Sequence, residues 1–154
     1  MNNQPVSPTA NTDPFENKSP NLLLGLIAGG VAMLVGAVIW GAVTYFTKYQ
    51  IGWMSIGVGF LVGIAIQKFG RGNSILFGIM GAGLALVGCL LGNLFFYGGV
   101  IAEMRGVTLF NVFLSMILDP VGTVDLFFAA FEFMDLVFYA LAIYAGFRYS
   151  FASK

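Results

Sequence analysis

The sequence predicts an all-α membrane protein: a four-transmembrane-helix antiparallel bundle with a short interfacial or re-entrant helix before the last span. Three observations carry that expectation. Of 154 residues, 58% are hydrophobic and 9% charged, with a mean hydropathy of +0.89, whereas soluble domains run at roughly 25% charged. The few charges are spaced so that long uncharged runs separate them. One further apolar run is cut by an Asp-Pro pair and is too short to cross a bilayer alone. A chain this poor in charge cannot cover a water-facing surface, and seven basic residues balanced by seven acidic ones leave no basic face for nucleic acid. There is no His, and Cys89 is the only thiol. An intrachain disulfide, a zinc site and a His-based catalytic triad are therefore excluded, and no metal or other cofactor is expected.

Residues Met1 to Asn21 hold four of the five prolines (Pro5, Pro8, Pro14, Pro20) among Asn, Ser and Thr and read as a disordered cytoplasmic tail. Asp13, Glu16 and Lys18 make this head polar and slightly acidic, unlike the basic n-region of a secretory signal. The apolar run that follows is also too long for such a signal, so the first span is expected to be an uncleaved helix. A charge inside hydrocarbon costs at least about 2.5 kcal/mol on insertion scales, so charges delimit the spans. Between Lys18 and Lys48 lie 29 uncharged residues, between Lys48 and Lys68 lie 19, and between Arg71 and Glu103 lie 31, against the ~20 that a crossing needs. This predicts spans at about 22–45, 51–69 and 75–97. The turns at Lys48-Tyr49-Gln50 and Gly70-Arg71-Gly72-Asn73 are short, which makes the three helices antiparallel neighbours.

Val107 to Leu118 is apolar over 12 residues before Asp119-Pro120. Thr108, Asn111 and Ser115 fall at i, i+3 and i+7 and give it a narrow polar stripe, as an interfacial or re-entrant helix at about 107–118 would have. The last span is expected at about 124–149, with Thr123 as N-cap and Asp125 in the favoured first turn, so that the transmembrane domain covers 22–150. Lys18, Lys68, Arg71, Arg148 and Lys154 then share one side of the membrane, and Lys48 and Arg105 the other. That bias predicts cytoplasmic N- and C-termini. Tyr45, Tyr49, Trp53 and Tyr97 would form an aromatic belt at the outer interface.

Gly25-Leu26-Ile27-Ala28-Gly29-Gly30-Val31-Ala32 matches Gly78-Ile79-Met80-Gly81-Ala82-Gly83-Leu84-Ala85 at an offset of 53, and Leu34-Val35-Gly36 matches Leu86-Val87-Gly88 at 52. Trp53-Met54-Ser55 lies over Phe133-Met134-Asp135 at an offset of 80, as Lys68-Phe69 does over Arg148-Tyr149. Such matches are compatible with a parallel two-helix repeat, the interfacial helix being an insertion in its second copy. Chance matching within a small apolar alphabet is the alternative. The run from Gly52-Trp53-Met54-Ser55 to Val62-Gly63, preceded by Trp40 and Tyr45-Phe46-Thr47, resembles small bacterial multi-pass inner-membrane proteins that carry no assigned function. Asp135-Leu136-Val137-Phe138-Tyr139 adds to the resemblance, which implies a four-helix fold in a bacterial inner membrane and no activity. The soluble metal-binding head of some of those proteins has no counterpart here, where the head lacks Cys and His.

Glycine supplies the first candidate sites. Gly52, Gly59 and Gly63 in the second span, Gly81, Gly88 and Gly92 in the third, and Gly25 and Gly29 in the first recur at spacings of four and seven, which puts each set on one helical face. Such faces bring helices into close contact, within the chain or between copies, or else leave a groove for a lipid or ligand. Glu132 and Asp135 are the sharper candidates. On a helix running from Thr123 they stand three apart, about 13 and 18 Å along it, with Tyr139 on the same face and Ser55, Asn93 and Thr44 at comparable depth on other helices. Intramembrane carboxylates are functional candidates by default, unless the helix starts later and leaves them at the wet interface or as packing residues. Cys89, mid-span and far from any base, reads as a small apolar filler, and Asp119 with Asp125 as a helix stop with an acidic outer face.

Two functional readings follow. In the first, the chain is a structural or accessory membrane component acting through helix packing or oligomerisation, with the lipid bilayer, copies of itself or a partner membrane subunit as its partners. In the second, it is a small proton or cation transporter or channel that uses the Glu132/Asp135 face. An enzyme is disfavoured, because no nucleophile and base, and no metal site, stand beside a recognisable substrate pocket.

Overall fold

A computed structural model of the chain describes residues 20–47 and 52–151. Among these residues the fold is all-helical: α1 (Leu22–Thr47), α2 (Trp53–Gly70), α3 (Ile75–Arg105), α4 (Leu109–Leu118), α5 (Pro120–Ala130) and α6 (Phe133–Tyr149). Helices α1, α2 and α3 are each long and apolar enough to cross a membrane, while α4 and α5 meet that criterion only as a pair, which bends by 106° at its break. The tail expected before residue 20, the turn at 48–51 and the last basic residue, Lys154, lie outside the described residues.

Local chemistry sets the helix ends. Asn21, expected in the tail, instead starts α1: its side-chain oxygen accepts from the Leu24 N–H (3.1 Å), and its own N–H donates to the Gly70 carbonyl (2.9 Å), so the start of α1 is stitched to the end of α2. Helix α2 stops as Arg71 turns left-handed (φ 51°) and donates its N–H to Gln67. Helix α3 stops at Gly106 (φ 63°), whose N–H reaches the Ala102 and Glu103 carbonyls, a conformation in which glycine escapes the Cβ penalty.

Helix α1 runs antiparallel to α2 and parallel to α3, since Gly29 sits against both Ile66 and Leu84, and Gly36 and Gly99 sit against Val58 and Tyr45 respectively. Helix α6 packs parallel to α2 and antiparallel to α3: Gly52 meets Phe138, Gly63 meets Tyr149, and Gly146 meets Gly81 and Ala85. Helices α2 and α3 also touch, which leaves α1 and α6 on opposite flanks. The core between them is built from Ala32, Trp40, Val58, Val62, Ile66, Phe77, Cys89, Tyr139 and Ala142. Helix starts fall at the offsets of the sequence matches. Leu22 and Ile75 are 53 apart, and Trp53 and Phe133 are 80 apart.

Two expected boundaries are corrected. The third helix does not end at Tyr97 but continues to Arg105. Gly98 and Gly99 look like breakers, yet they are buried where the Phe113 and Tyr45 rings press on the backbone, and packing there outweighs glycine's low helix propensity. The last helix does not run unbroken over 124–149. Helix α5 starts three residues before the expected Thr123, at Pro120, because Asp119 caps it by accepting the Gly122 N–H (3.0 Å) and proline suits the first helical position. Thr123 lies inside that helix, with its hydroxyl 2.9 Å from the Met116 and Asp119 carbonyls. The chain then extends through Phe131 and Glu132 before α6 begins.

Candidate functional site

The break before α6 decides where the acids lie. Glu132 is exposed and extended (φ −105°, ψ 154°), outside the helix, so the expectation that it shares a mid-helix face with Asp135 is corrected. Asp135 stands in the first turn and is 7% exposed. Its Oδ2 accepts the Glu132 N–H (3.0 Å), while the Asp135 N–H donates to the Glu132 carbonyl (3.0 Å). A carboxylate at N3 folded back on the N-cap N–H is half of a capping box and offsets one of the unpaired donors of a helix start. It also favours the positive end of the helix dipole.

From Asp135 the buried face of α6 continues through Tyr139, Ala142 and Gly146. The Asn93 amide, 2% exposed on α3, donates to the Tyr139 hydroxyl. Ser55, fully buried on α2, holds its hydroxyl 2.7 Å from the Gly52 carbonyl and 3.0 Å from the Phe138 carbonyl, sharing one proton between its own helix and α6. Ser55, Asn93, Asp135 and Tyr139 are thus gathered where α2, α3 and α6 meet, and Tyr97 lies within electrostatic range of Asp135 and Glu132. At the other end of α6, the Ser150 hydroxyl donates back to the Gly146 carbonyl, and the Gln67 amide donates to the Phe151 carbonyl (2.7 Å).

Two further polar groups sit in the core. Trp40 Nε1 and Thr44 Oγ1, on residues 1% and 0% exposed, have no hydrogen-bond partner among the described residues. They stand one turn apart on α1. The i, i+4 spacing of Trp40 and Thr44 was the only sequence sign of the pair, and an apolar setting hides it.

The glycines face neighbours within the chain. A Cβ on Gly59 would collide with the Ala142 carbonyl, one on Gly81 with the Gly146 carbonyl, and one on Gly63 with Tyr149. Gly52 lies under the Phe138 ring, Gly92 against Trp40, Gly88 against Val58 and Met33, Gly29 against Ile66, and Gly25 against Gly70 and Phe77. Cys89 is free and fully buried.

Beyond the bundle, Thr108 caps α4 by accepting the Asn111 N–H (3.4 Å), and the Ser115 hydroxyl donates to the Asn111 carbonyl (2.8 Å). The polar stripe of α4 thus serves its own helix and helps to line a cavity of about 390 Å³ that Arg105 and Asp119 also border. Among the described residues no three His, Cys, Asp or Glu side chains are grouped to hold a metal ion. No protein-family model, curated protein or solved structure matches the chain.

Proposed function

We propose that the chain is a structural or accessory component of a membrane, with α1, α2, α3 and α6 as four spans and α4–α5 as an interfacial pair that does not cross. Helix α6, at 17 residues, is about 25 Å long and near the lower limit for a span. Both ends of the bent pair belong to one end of the bundle: α3 leads into it beyond Tyr45 and Gly99, and α6 leaves it beside Gly52 and Ser55. The Lys and Arg bias favours cytoplasmic termini, and the resemblance noted above favours a bacterial inner membrane. Copies of the chain or a partner subunit would meet its exposed apolar flanks. No catalytic role is assigned.

One observation carries the structural reading. The polar groups gathered where α2, α3 and α6 meet have structural bonds: Asp135 caps α6, Asn93 ties α3 to it and Ser55 ties α2 to it. The second reading, a path for protons or cations, draws support from the buried Trp40 and Thr44 polar atoms, which an internal water could serve. Purified chain in proteoliposomes separates the two. A scaffold gives proton and potassium flux equal to that of empty vesicles; flux above that level, abolished by Asp135→Asn, would overturn the structural reading in favour of the path.

A further inference from the structure

No described side chain of α5 is buried, and its hydrogen bonds stay inside the bent pair: Asp119 accepts the Gly122 N–H, and the Thr123 hydroxyl turns to the Met116 and Asp119 carbonyls. Among the described residues, no hydrogen bond joins α5 to α1, α2, α3 or α6. What meets the bundle is a row of rings. Phe127, half-buried, packs against the core. Its ring centroid lies 6.1 Å from that of Phe131, which in turn lies 6.1 Å from that of Tyr139. Phe127 and Phe131 are four residues apart and share a face, while Phe128 is 72% exposed. Against the Phe131 ring, Tyr139 is 6% exposed, and its hydroxyl accepts from the Asn93 amide. Both ends of α5 are breaks in the helical path: the pair bends by 106° before it, and Phe131 and Glu132 are extended after it.

We propose that α5 is an aromatic lid over the Asn93–Tyr139 pair, which lifts about the breaks at its two ends and lets water reach the polar groups where α2, α3 and α6 meet. Ring contact holds it shut, and such contact parts without leaving an unpaired donor or acceptor behind. Parting α6 from α2 or α3 instead breaks the Ser55 and Asn93 bonds and strands buried polar groups. An element attached in the first way opens locally, well below the cost of global unfolding. The lid governs access to the cluster and holds for scaffold and path alike.

Cys89 is a native reporter of that opening. It is fully buried, belongs to the same core cluster as Tyr139 and stands one turn before Asn93 on α3. The test is the rate at which iodoacetamide alkylates Cys89 in the full chain in mild detergent, followed by intact mass, with the melting temperature measured in parallel. Wild type is expected to react slowly. Phe131→Ala should raise the rate about tenfold, the order of one aromatic contact and its burial, at an unchanged melting temperature because the lid alone opens. Phe131→Leu, which removes the ring and keeps the bulk, should raise it less, and Phe128→Ala should leave it at the wild-type value. A wild-type rate in both Phe131 variants, equal acceleration by Phe128→Ala, or acceleration that comes only with a lowered melting temperature would each overturn the proposal.

Discussion

The four packed helices and the bent pair α4–α5 differ in what their apolar side chains touch, although both are rich in Phe, Leu and Val. In the bundle, glycine lets backbones approach and hydroxyl and amide groups bridge helices. In the pair, Val112 is the one buried residue of α4, while Phe110, Leu114, Ile117, Val121 and Phe128 are exposed. Each helix of the pair is closed by its own N-cap, Thr108 or Asp119. Apolar sequence therefore does not by itself make core. Small residues at the contact decide which helices join the bundle, and those without them keep their apolar faces for the surroundings.

The largest effect that would break this contrast is steric. Gly59→Leu drives a side chain into the Ala142 carbonyl, a rigid neighbour, and should lower stability by at least about 1–3 kcal/mol, the usual overpacking cost. Gly57, two residues away, has nothing within 4 Å of its Cβ position. Gly57→Ala should raise stability by about 0.5–1 kcal/mol through helix propensity. Thermal unfolding in mild detergent measures both, and equal responses would mean that α2 does not pack through this face.

A smaller effect is expected from the interhelical ties. Tyr139→Phe leaves the Asn93 amide without the Tyr139 hydroxyl in the core and should cost about 1–3 kcal/mol. Thr123→Val, which removes a hydroxyl bond within the bent pair, should leave the bundle's melting temperature unchanged. Should Thr123→Val lower it as much as Tyr139→Phe does, the two regions unfold as one unit.

The smallest contrast compares two caps. Asp135→Ala should lower global stability by about 0.5–2 kcal/mol, because α6 is part of the bundle. Asp119→Ala removes a similar bond from α5 but should speed hydrogen exchange there alone. Global destabilisation by Asp119→Ala would sharpen the comparison the other way, making α5 part of the core.

How much of this the sequence disclosed follows the physics of each signal. Charge-free runs located α1 and α2 to within a few residues, since a charge in hydrocarbon is costly enough to leave clean boundaries. Tertiary contacts hid the rest. The third helix runs past Tyr97 to Arg105 through Gly98 and Gly99, which the Phe113 and Tyr45 rings pack against. Ser55, Asn93, Asp135 and Tyr139 could be singled out as polar groups among apolar ones, but not the break beside them. The capping pattern there is Glu-x-x-Asp, whose N-cap position holds a residue outside the favoured Ser, Thr, Asp and Asn. Asp119-Pro120 was legible as a stop; that it also starts the next helix depends on one side-chain bond to Gly122.

The claim that α4–α5 stays on one side while α6 crosses is tested most directly by thiol labelling in intact membranes, on a Cys89→Ser background, with an impermeant maleimide. Val107→Cys and Glu132→Cys report the two ends of the bent pair, and Ser74→Cys reports the turn between α2 and α3, all at exposed positions. The account predicts labelling of Val107→Cys and Glu132→Cys from the same side and of Ser74→Cys from the opposite side. Labelling of Val107→Cys and Glu132→Cys from opposite sides would mean that the bent pair itself crosses the membrane, and would contradict it.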